Sequence, residues 1–524
     1  MTGPPPLIQS LLRPETWNHP TSEICLLETH ISWIILTGPF AYKIKKPVDF
    51  GFLDFTTLEK RRFYCREELR LNRRLAEELY MDVVTFRGDD SHPTLGGNGP
   101  IVEYAVKMRQ FDQSELLAEY ARQDRLKEDH VVQLAHLIGH FHVMTDRATP
   151  ESPYGEPEQI EKACLENFSH IDAGLRGHGK LSEKTQWLKD WTIRTYEQLR
   201  SLMAKRKQEG YVRECHGDLH LGNIVMWRGH PTPFDCIEFN PMLRWIDVIS
   251  EIAFTVMDLT ARGQRPLAFR FLNEYLTMTG DYPGLKLLRY YLVYRAMVRA
   301  KIAYLSDQQN RGNQSHRDLE HYLALALGFS QPALPMLLIT HGFSGSGKSY
   351  ASRRLAAHLD ALHLRSDVER KRLSGLSPQA PSKSGLGKDI YNREFTQCTY
   401  QKLRELARDI LQAEFSVIVD ATFLNQQERR QFRQLAESMG VAFRILDFGA
   451  EAAVLRQRIE KRLQESQDPS EADLMVLAYQ LSHHDPLSPE EQAMSIHFDT
   501  SQGFDLEQAL SELGNIAMTF TPTK

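Results

Sequence analysis

At 524 residues the chain exceeds what one hydrophobic core supports, so two or three domains are expected. A hydrophobic content of 42% and a charged content of 25% are those of an ordinary globular protein, and a net charge of −5 weighs against a dedicated nucleic-acid binder. The six cysteines form no C-x-x-C pair, which excludes a disulfide framework or cysteine zinc site, and no apolar run approaches the ~20 residues of a membrane span. The start Met-Thr-Gly-Pro-Pro-Pro lacks a basic then apolar leader, so the expectation is a cytoplasmic protein with no membrane partner.

After a proline-rich start that wraps or frays, Ile31–Leu36 and Phe40–Lys45 read as strands around a Gly38-Pro39 turn. A helix follows over about 58–79, with Thr56 and Glu59 as a capping box and Leu71, Leu75 and Leu79 on one face. A second strand pair is expected near 83–86 and 101–108. Helices then dominate from Asp129 to about Leu327, interrupted by a loop over 216–240. The stretch Gly328-Phe329-Ser330-Gln331-Pro332-Ala333-Leu334-Pro335 reads as a linker. Beyond it, strands at 336–341, 361–366, 415–420 and 442–448 alternate with helices, the pattern of a parallel, helix-covered sheet. Domains over 1–330 and 331–524 are expected, on different folds and without an internal repeat.

The loop in the first half carries His216-Gly217-Asp218-Leu219-His220-Leu221-Gly222-Asn223, followed by Pro233-Phe234-Asp235-Cys236-Ile237-Glu238. Phosphoryl transfer asks protein for positioning and charge neutralisation rather than covalent help. Asp218 fits a base or hydroxyl-orienting group, and Asn223 and Asp235 fit metal ligands. The spacing from Asp218 to Asn223 is that of the kinase catalytic loop. Upstream, Phe40-Ala41-Tyr42-Lys43 places Ala41 and Lys43 on one strand face, suited to adenine and phosphate. Glu67 and Glu68 are both in reach as partners for Lys43; Glu68 is favoured, although spacing alone does not choose. Lys45 and Lys46 read as solvated strand-end charges, and His220 as an ordinary loop residue.

These motifs resemble the aminoglycoside phosphotransferase and choline kinase branch of the protein-kinase-like fold, over roughly residues 25–325. The resemblance implies a bilobal α+β domain and a structural role for the aspartate of Trp245-Ile246-Asp247-Val248. It departs from that family in having only Gly38-Pro39 where a G-x-G-x-x-G loop would cover phosphates, and it assigns no aminoglycoside-binding acids.

In the second half, Gly342-Phe343-Ser344-Gly345-Ser346-Gly347-Lys348-Ser349 matches the Walker A pattern in full, between an apolar strand and a helical stretch. Glycines let backbone N–H groups converge on phosphate, Lys348 reaches the β- and γ-phosphates and Ser349 the magnesium. Asp367 and Arg370, in Asp-x-x-Arg, resemble the element of polynucleotide- and gluconate-kinase-like P-loop kinases in which the aspartate activates the acceptor hydroxyl. Asp367 also suits the N-cap of a helix over 368–373. Asp420 ends an apolar strand as a candidate metal or substrate group. Arg458 and Arg462, four apart on a basic helix, resemble the lid that clamps transferring phosphate. The chain as a whole resembles bifunctional bacterial proteins that join the two domain types. Its stretches Thr29-His30-Ile31-Ser32-Trp33 and 45–55 resemble that group.

The expectation is therefore an α+β protein-kinase-like domain followed by an α/β P-loop domain, acting as an ATP- and magnesium-dependent phosphotransferase on hydroxyls of small molecules. An alternative has one active P-loop kinase, for a small molecule or a polynucleotide 5′-hydroxyl, and an ATP-sensing first domain without catalysis. The acidic charge counts against nucleic acid without removing it for the second domain, and nothing in the sequence specifies acceptor or oligomeric state.

Overall fold

A computed structural model describes residues 3–21, 23–51, 53–175, 179–310, 313–332, 334–377, 380, 392–465 and 470–517. Phe52 of the 45–55 stretch and Ala333 of the linker lie outside the described residues. Two compact units are present. The first joins Met1–Leu134, Phe141–Ala163 and Arg200–Asp258, and the second Ala135–His140, Cys164–Leu199 and Leu259–Lys524. No helix among the described residues is long and apolar enough to cross a membrane.

The first unit has an α+β arrangement. Strands β1 (Cys25–Glu28), β2 (Ser32–Leu36), β3 (Phe40–Lys45), β4 (Tyr80–Arg87), β5 (Thr94–Leu95) and β6 (Ile101–Arg109) form one sheet in the order β1-β2-β3-β6-β4-β5. All its pairings are antiparallel. Alternation along β3 sends Tyr42 and Ile44 to one face and Ala41, Lys43 and Lys45 to the other. The first face is closed by the proline-rich start, which wraps: Ile8, Leu11 and Trp17 are buried there, and the Trp17 ring lies 4.5 Å from that of Tyr42. The opposite face receives the helix Leu58–Ala76.

That helix corrects two expectations. Its N-cap is Thr57, whose hydroxyl accepts from the Lys60 N–H at 3.2 Å, while the Thr56 hydroxyl donates to Asp54. Its buried positions are Arg61, Cys65, Glu68, Leu71, Asn72 and Ala76, and Leu79 is buried beyond its end. Hydrophobic periodicity missed this face because half of it is polar. Arg61 is held there by Glu103 of β6 at 2.8 Å.

Short strands follow: β7 (Val212–Glu214), β8 (Ile224–Trp227), β9 (His230–Pro233) and β10 (Trp245–Asp247), with β7 paired to β10 and β8 to β9. The His216 loop runs between β7 and β8, and Asp235 lies two residues past the end of β9. Asp247 is buried on Arg206, with Nε–Oδ2 at 2.7 Å, and also accepts the Ile249 N–H, a structural use.

In the second unit β11 (Met336–His341), β12 (Ala361–Arg365), β13 (Ser416–Asp420), β14 (Ala442–Gly449) and β15 (Ser495–Asp499) form a parallel sheet in the order β12-β13-β11-β14-β15. Four strands match the expected segments. The fifth, β15, was missed because it is a short edge strand with exposed polar residues in alternation. Central apolar strands such as Leu337–Ile339 are buried on both faces, as helix-covered parallel sheets require. The edge strand β12 is satisfied by a helix from before the linker. Asn273 Nδ2 donates to Ala361 O at 3.1 Å, and its Oδ1 accepts from the His363 N–H at 2.7 Å. The helix Asn313–Ser330 takes in the first three residues read as linker.

Arg429, buried in the helix Gln426–Met439, donates to both oxygens of Glu491 and to the carbonyls of Phe423, Asp485 and Pro486. Removing one partner of a buried pair strands the other charge, so Arg429→Ala should cost about 3–5 kcal/mol. The check is the denaturation midpoint of the full chain, with Glu491→Gln lowering it less.

Candidate active sites

In the first unit, Lys43 and Lys45 stand two apart on β3 and meet the same carboxylate. Lys43 Nζ lies 2.8 Å from Glu68 Oε1, and Lys45 Nζ lies 2.7 Å from Glu68 Oε2. Lys43 also pairs with Asp235, and Lys45 with Glu238. Glu67 instead pairs with Arg70 at 2.9 Å, so the choice between the two glutamates falls on Glu68. Lys45 is a correction: it is 0% exposed, not solvated, because its side chain shares the inward face with Lys43. Lys46 pairs with the exposed Glu28. Burial alone would lower the Lys43 ammonium, but Asp235, Glu68 and Glu238 outweigh it and raise it well above the ordinary lysine value. Burial lifts the Glu238 carboxyl above its ordinary range despite Lys45.

The loop that carries Asp218 is held by acids from an otherwise apolar helix, Val248–Ala261. Glu251 accepts the N–H groups of His216 at 2.6 Å and Gly217 at 3.0 Å, and Asp258 accepts that of Leu221 at 2.9 Å. Gly217 adopts φ +89°, and a Cβ there would stand 2.7 Å from Leu243 O, so only glycine fits. His216 bridges Phe234 O at 2.8 Å through Nε2 and the Asp218 N–H at 3.3 Å through Nδ1. Burial lowers its imidazole to about 4, so it stays neutral and keeps that tautomer at ordinary pH.

Asn223 donates from Nδ2 to Asp218 O at 3.0 Å and Asp218 Oδ2 at 2.8 Å, which turns its Oδ1 away as an acceptor. Asp235 holds φ +63°, a costly conformation for an aspartate, with its N–H on the Tyr80 hydroxyl at 3.1 Å. Its side chain is 43% exposed. A carboxylate and an amide oxygen are hard donors of the kind magnesium takes. His220, read as an ordinary loop residue, caps the turn Leu221–Asn223 and brings Nε2 to 3.5 Å from Asp218 Oδ2. Thr37 and Phe40 close the Gly38-Pro39 hairpin, and Gln110 Oε1 accepts the Gly38 N–H at 3.0 Å.

In the second unit the Walker segment leaves the end of β11 and enters the helix Lys348–His358. Gly342, Gly345 and Gly347 all have positive φ; a Cβ would stand 2.4 Å from Phe448 O at Gly342 and 2.6 Å from Leu455 O at Gly345. The Ser346 hydroxyl is buried with no hydrogen-bond partner, an orphan inside the cradle. Lys348 Nζ donates to Phe343 O at 2.7 Å. Burial lowers its ammonium to about 8, although Asp420 and Asp367 act in the opposite direction. Asp420 accepts from Ser349 and lies 3.0 Å from His363 Nε2. Burial would raise its carboxyl, but these contacts and Arg365 bring it down to about 2. Asp367 sits in the first turn of the helix Ser366–Leu373. It is not the cap expected for a helix starting at 368, because the helix begins earlier and Arg365 occupies the N-cap.

Arg370 donates to the Thr396 hydroxyl at 3.2 Å. Arg458 and Arg462 lie on the helix Ala452–Glu465, Arg458 donating to Thr500 and Gly345 O, and Arg462 to Ala472 O. Sequence reasoning passed over Gln480, whose Oε1 accepts the Ser344 N–H at 2.9 Å, an amide of the Walker segment. It gave Glu238 no role although it ends the 233–238 motif, and it passed over Glu251, Asp258 and His363, whose signal was a polar residue set in an apolar strand or helix next to a motif.

A family model described as an AAA domain matches residues 337–487. The mycobacterial proteins named Uncharacterized protein Rv2004c, of Mycobacterium tuberculosis strain H37Rv, and Uncharacterized protein Mb2027c, of Mycobacterium bovis, are each 30% identical to this chain over 445 residues, 83% of it and 86% of theirs. The chain belongs to the family of these proteins. Among solved structures, similarity extends to a choline/ethanolamine kinase family protein from Mesorhizobium loti (9% identity, 65% of this chain, 93% of that one, TM-score 0.38). It extends also to a gluconokinase from Sinorhizobium meliloti (18% identity, 36% of this chain, 95% of that one, TM-score 0.26).

The Lys348 ammonium sets a pH dependence. Its folded value near 8 lies below that of an ordinary lysine, so burial costs stability below pH 8 and the cost fades as pH rises toward the ordinary lysine value. Phosphate binding needs the charged form and runs the other way. In a Lys43→Ala background, nucleoside triphosphate affinity should fall by about tenfold per pH unit above about pH 8, until it meets the bound-state value. Calorimetric titration across pH 7 to about 9.5 checks it; a flat profile contradicts the burial of this charge.

Proposed function

We propose that the protein is an ATP-dependent phosphotransferase with two kinase-type sites, each moving the γ-phosphate of ATP to a hydroxyl of a small molecule. The observation that carries this reading is a buried lysine facing carboxylates in each unit, Lys43 with Glu68 and Asp235 and Lys348 with the charges of Asp420 and Asp367; Asp218 and Asp367 are suited to an acceptor hydroxyl. Magnesium, when bound, would neutralise phosphate charge, held by Asp235 and Asn223 in the first site and by Ser349 with Asp420 in the second.

In the first site Lys43 contacts phosphate oxygens, Glu68 orients it, and Asp218 receives the acceptor proton. Asn223 fixes one Asp218 oxygen, and His220 stands beside the same oxygen. In the second site the backbone N–H groups of 342–349 and Lys348 hold the phosphates, and Asp367 orients the acceptor. Arg458 braces the loop through Gly345 O, and Arg462 adds positive charge at the phosphate end.

A second reading keeps the P-loop kinase and makes the first unit an ATP sensor. The tight Gly38-Pro39 hairpin favours it, since it offers little backbone to cover phosphate. Radiolabelled ATP with sugars, nucleosides, amino alcohols and a 5′-hydroxyl oligonucleotide as acceptors separates these readings. Asp218→Ala and Lys348→Ala should each remove a different labelled product, by at least about a hundredfold. If Asp218→Ala leaves every product intact and Lys348→Ala removes all, the sensor reading stands. Labelling of the oligonucleotide by the second unit, steeply weakened by salt, would make the acceptor a polynucleotide.

A further inference from the structure

Lys43 and Asp235 are bonded to each other in this structure, yet the proposed function needs both for ligand, Lys43 for phosphate and Asp235 for the metal. When they part, Lys43 keeps one protein partner, Glu68. A buried carboxylate with a single mobile partner would be poorly held, and so would the lysine it orients.

Glu68 has a second partner that ligand does not claim. Its Oε2 takes Lys45, which is 0% exposed, lies 4.9 Å from the centre of the Phe55 ring and is closed off by Glu238. The charge count points the same way. Two ammonium groups, Lys43 and Lys45, face three carboxylates, Glu68, Asp235 and Glu238, so the cluster carries one surplus negative charge. The surplus belongs at Asp235, the one carboxylate of the three that is substantially exposed. Handing Asp235 to a cation leaves two lysines with two glutamates, a balanced buried set.

We propose that Lys45 and Glu238 are a positioning pair that holds Glu68, and through it Lys43, in place when Lys43 and Asp235 separate to receive a metal–nucleotide complex. This rests on reading the first unit as a nucleotide site. Lys45 touches no ligand; it acts through Glu68.

The test measures MgATP dissociation constants and unliganded unfolding midpoints on the full chain, with Lys348→Ala silencing the P-loop. Lys43→Ala is the control. If it binds MgATP like its parent, the first unit is not the expected nucleotide site, and the proposal falls with that reading. Given loss of binding in that control, Lys45→Met should weaken MgATP by at least about tenfold, with a lowered midpoint because Glu238 is stranded. The double variant Lys45→Met/Glu238→Gln removes both charges, so its midpoint should return toward the parent's, while MgATP binding stays weakened by about tenfold. A pair that served stability alone would regain affinity together with the midpoint. A folded double variant binding within about threefold of the parent overturns the proposal and leaves the nucleotide-site reading intact.

Discussion

One carboxylate, Glu68, organises the first unit. It is wholly buried and shared by two lysines of the same strand, and a buried charge persists only when paired. The requirement ties three stretches of chain together: β3 through Lys43 and Lys45, the helix Leu58–Ala76 through Glu68, and the segment after β9 through Asp235 and Glu238. The helix must bury a polar face against the sheet for this to happen. Asn72 extends the arrangement, accepting the Cys236 N–H at 2.8 Å and donating to Glu68 O at 2.8 Å. Apolar packing around Cys65, Val106 and Met108 closes the space and makes any misplaced charge there expensive.

The second unit meets the same chemical need by other means. Its cradle is backbone, shaped by glycines whose Cβ atoms would strike the carbonyls of Phe448 and Leu455. Lys348 and Asp420 bring buried formal charge to it, and each is shifted by burial and by its neighbours. The protein side has already filled part of the cradle: Gln480 occupies the Ser344 amide and Phe343 O takes the Lys348 ammonium. In the proposed function, ligand phosphate competes with these bonds, which bears on affinity as directly as the motif does.

Much of both sites was legible before any coordinates. A Walker segment is a run of consecutive residues, and its function follows from local backbone geometry after a strand. The order Lys43, Asp218, Asn223, Asp235 was readable because each sits in a short motif. The glutamate next to Lys43 was not, since Glu67 and Glu68 are adjacent on a helix and only the rotation of that helix against the sheet separates them. Lys45 was misread for a related reason: charge suggests solvent, and partners 23 and 193 residues away, Glu68 and Glu238, reverse that. The helix cap and buried face were misplaced because Thr56 and Thr57 are chemically alike and because the face carries Arg61, Glu68 and Asn72 among its apolar members.

The sequence by itself determined the two folds' periodicities, the glycine-rich loop after a strand and the residue types gathered in the candidate sites, since these depend on neighbours within a few positions. The tertiary structure alone decided which charges are shared. Glu68 with two lysines, Glu251 on two loop amides and Gln480 on the cradle all join residues far apart in the chain. Burial sets the strength of such contacts, and burial is a property of the packed molecule.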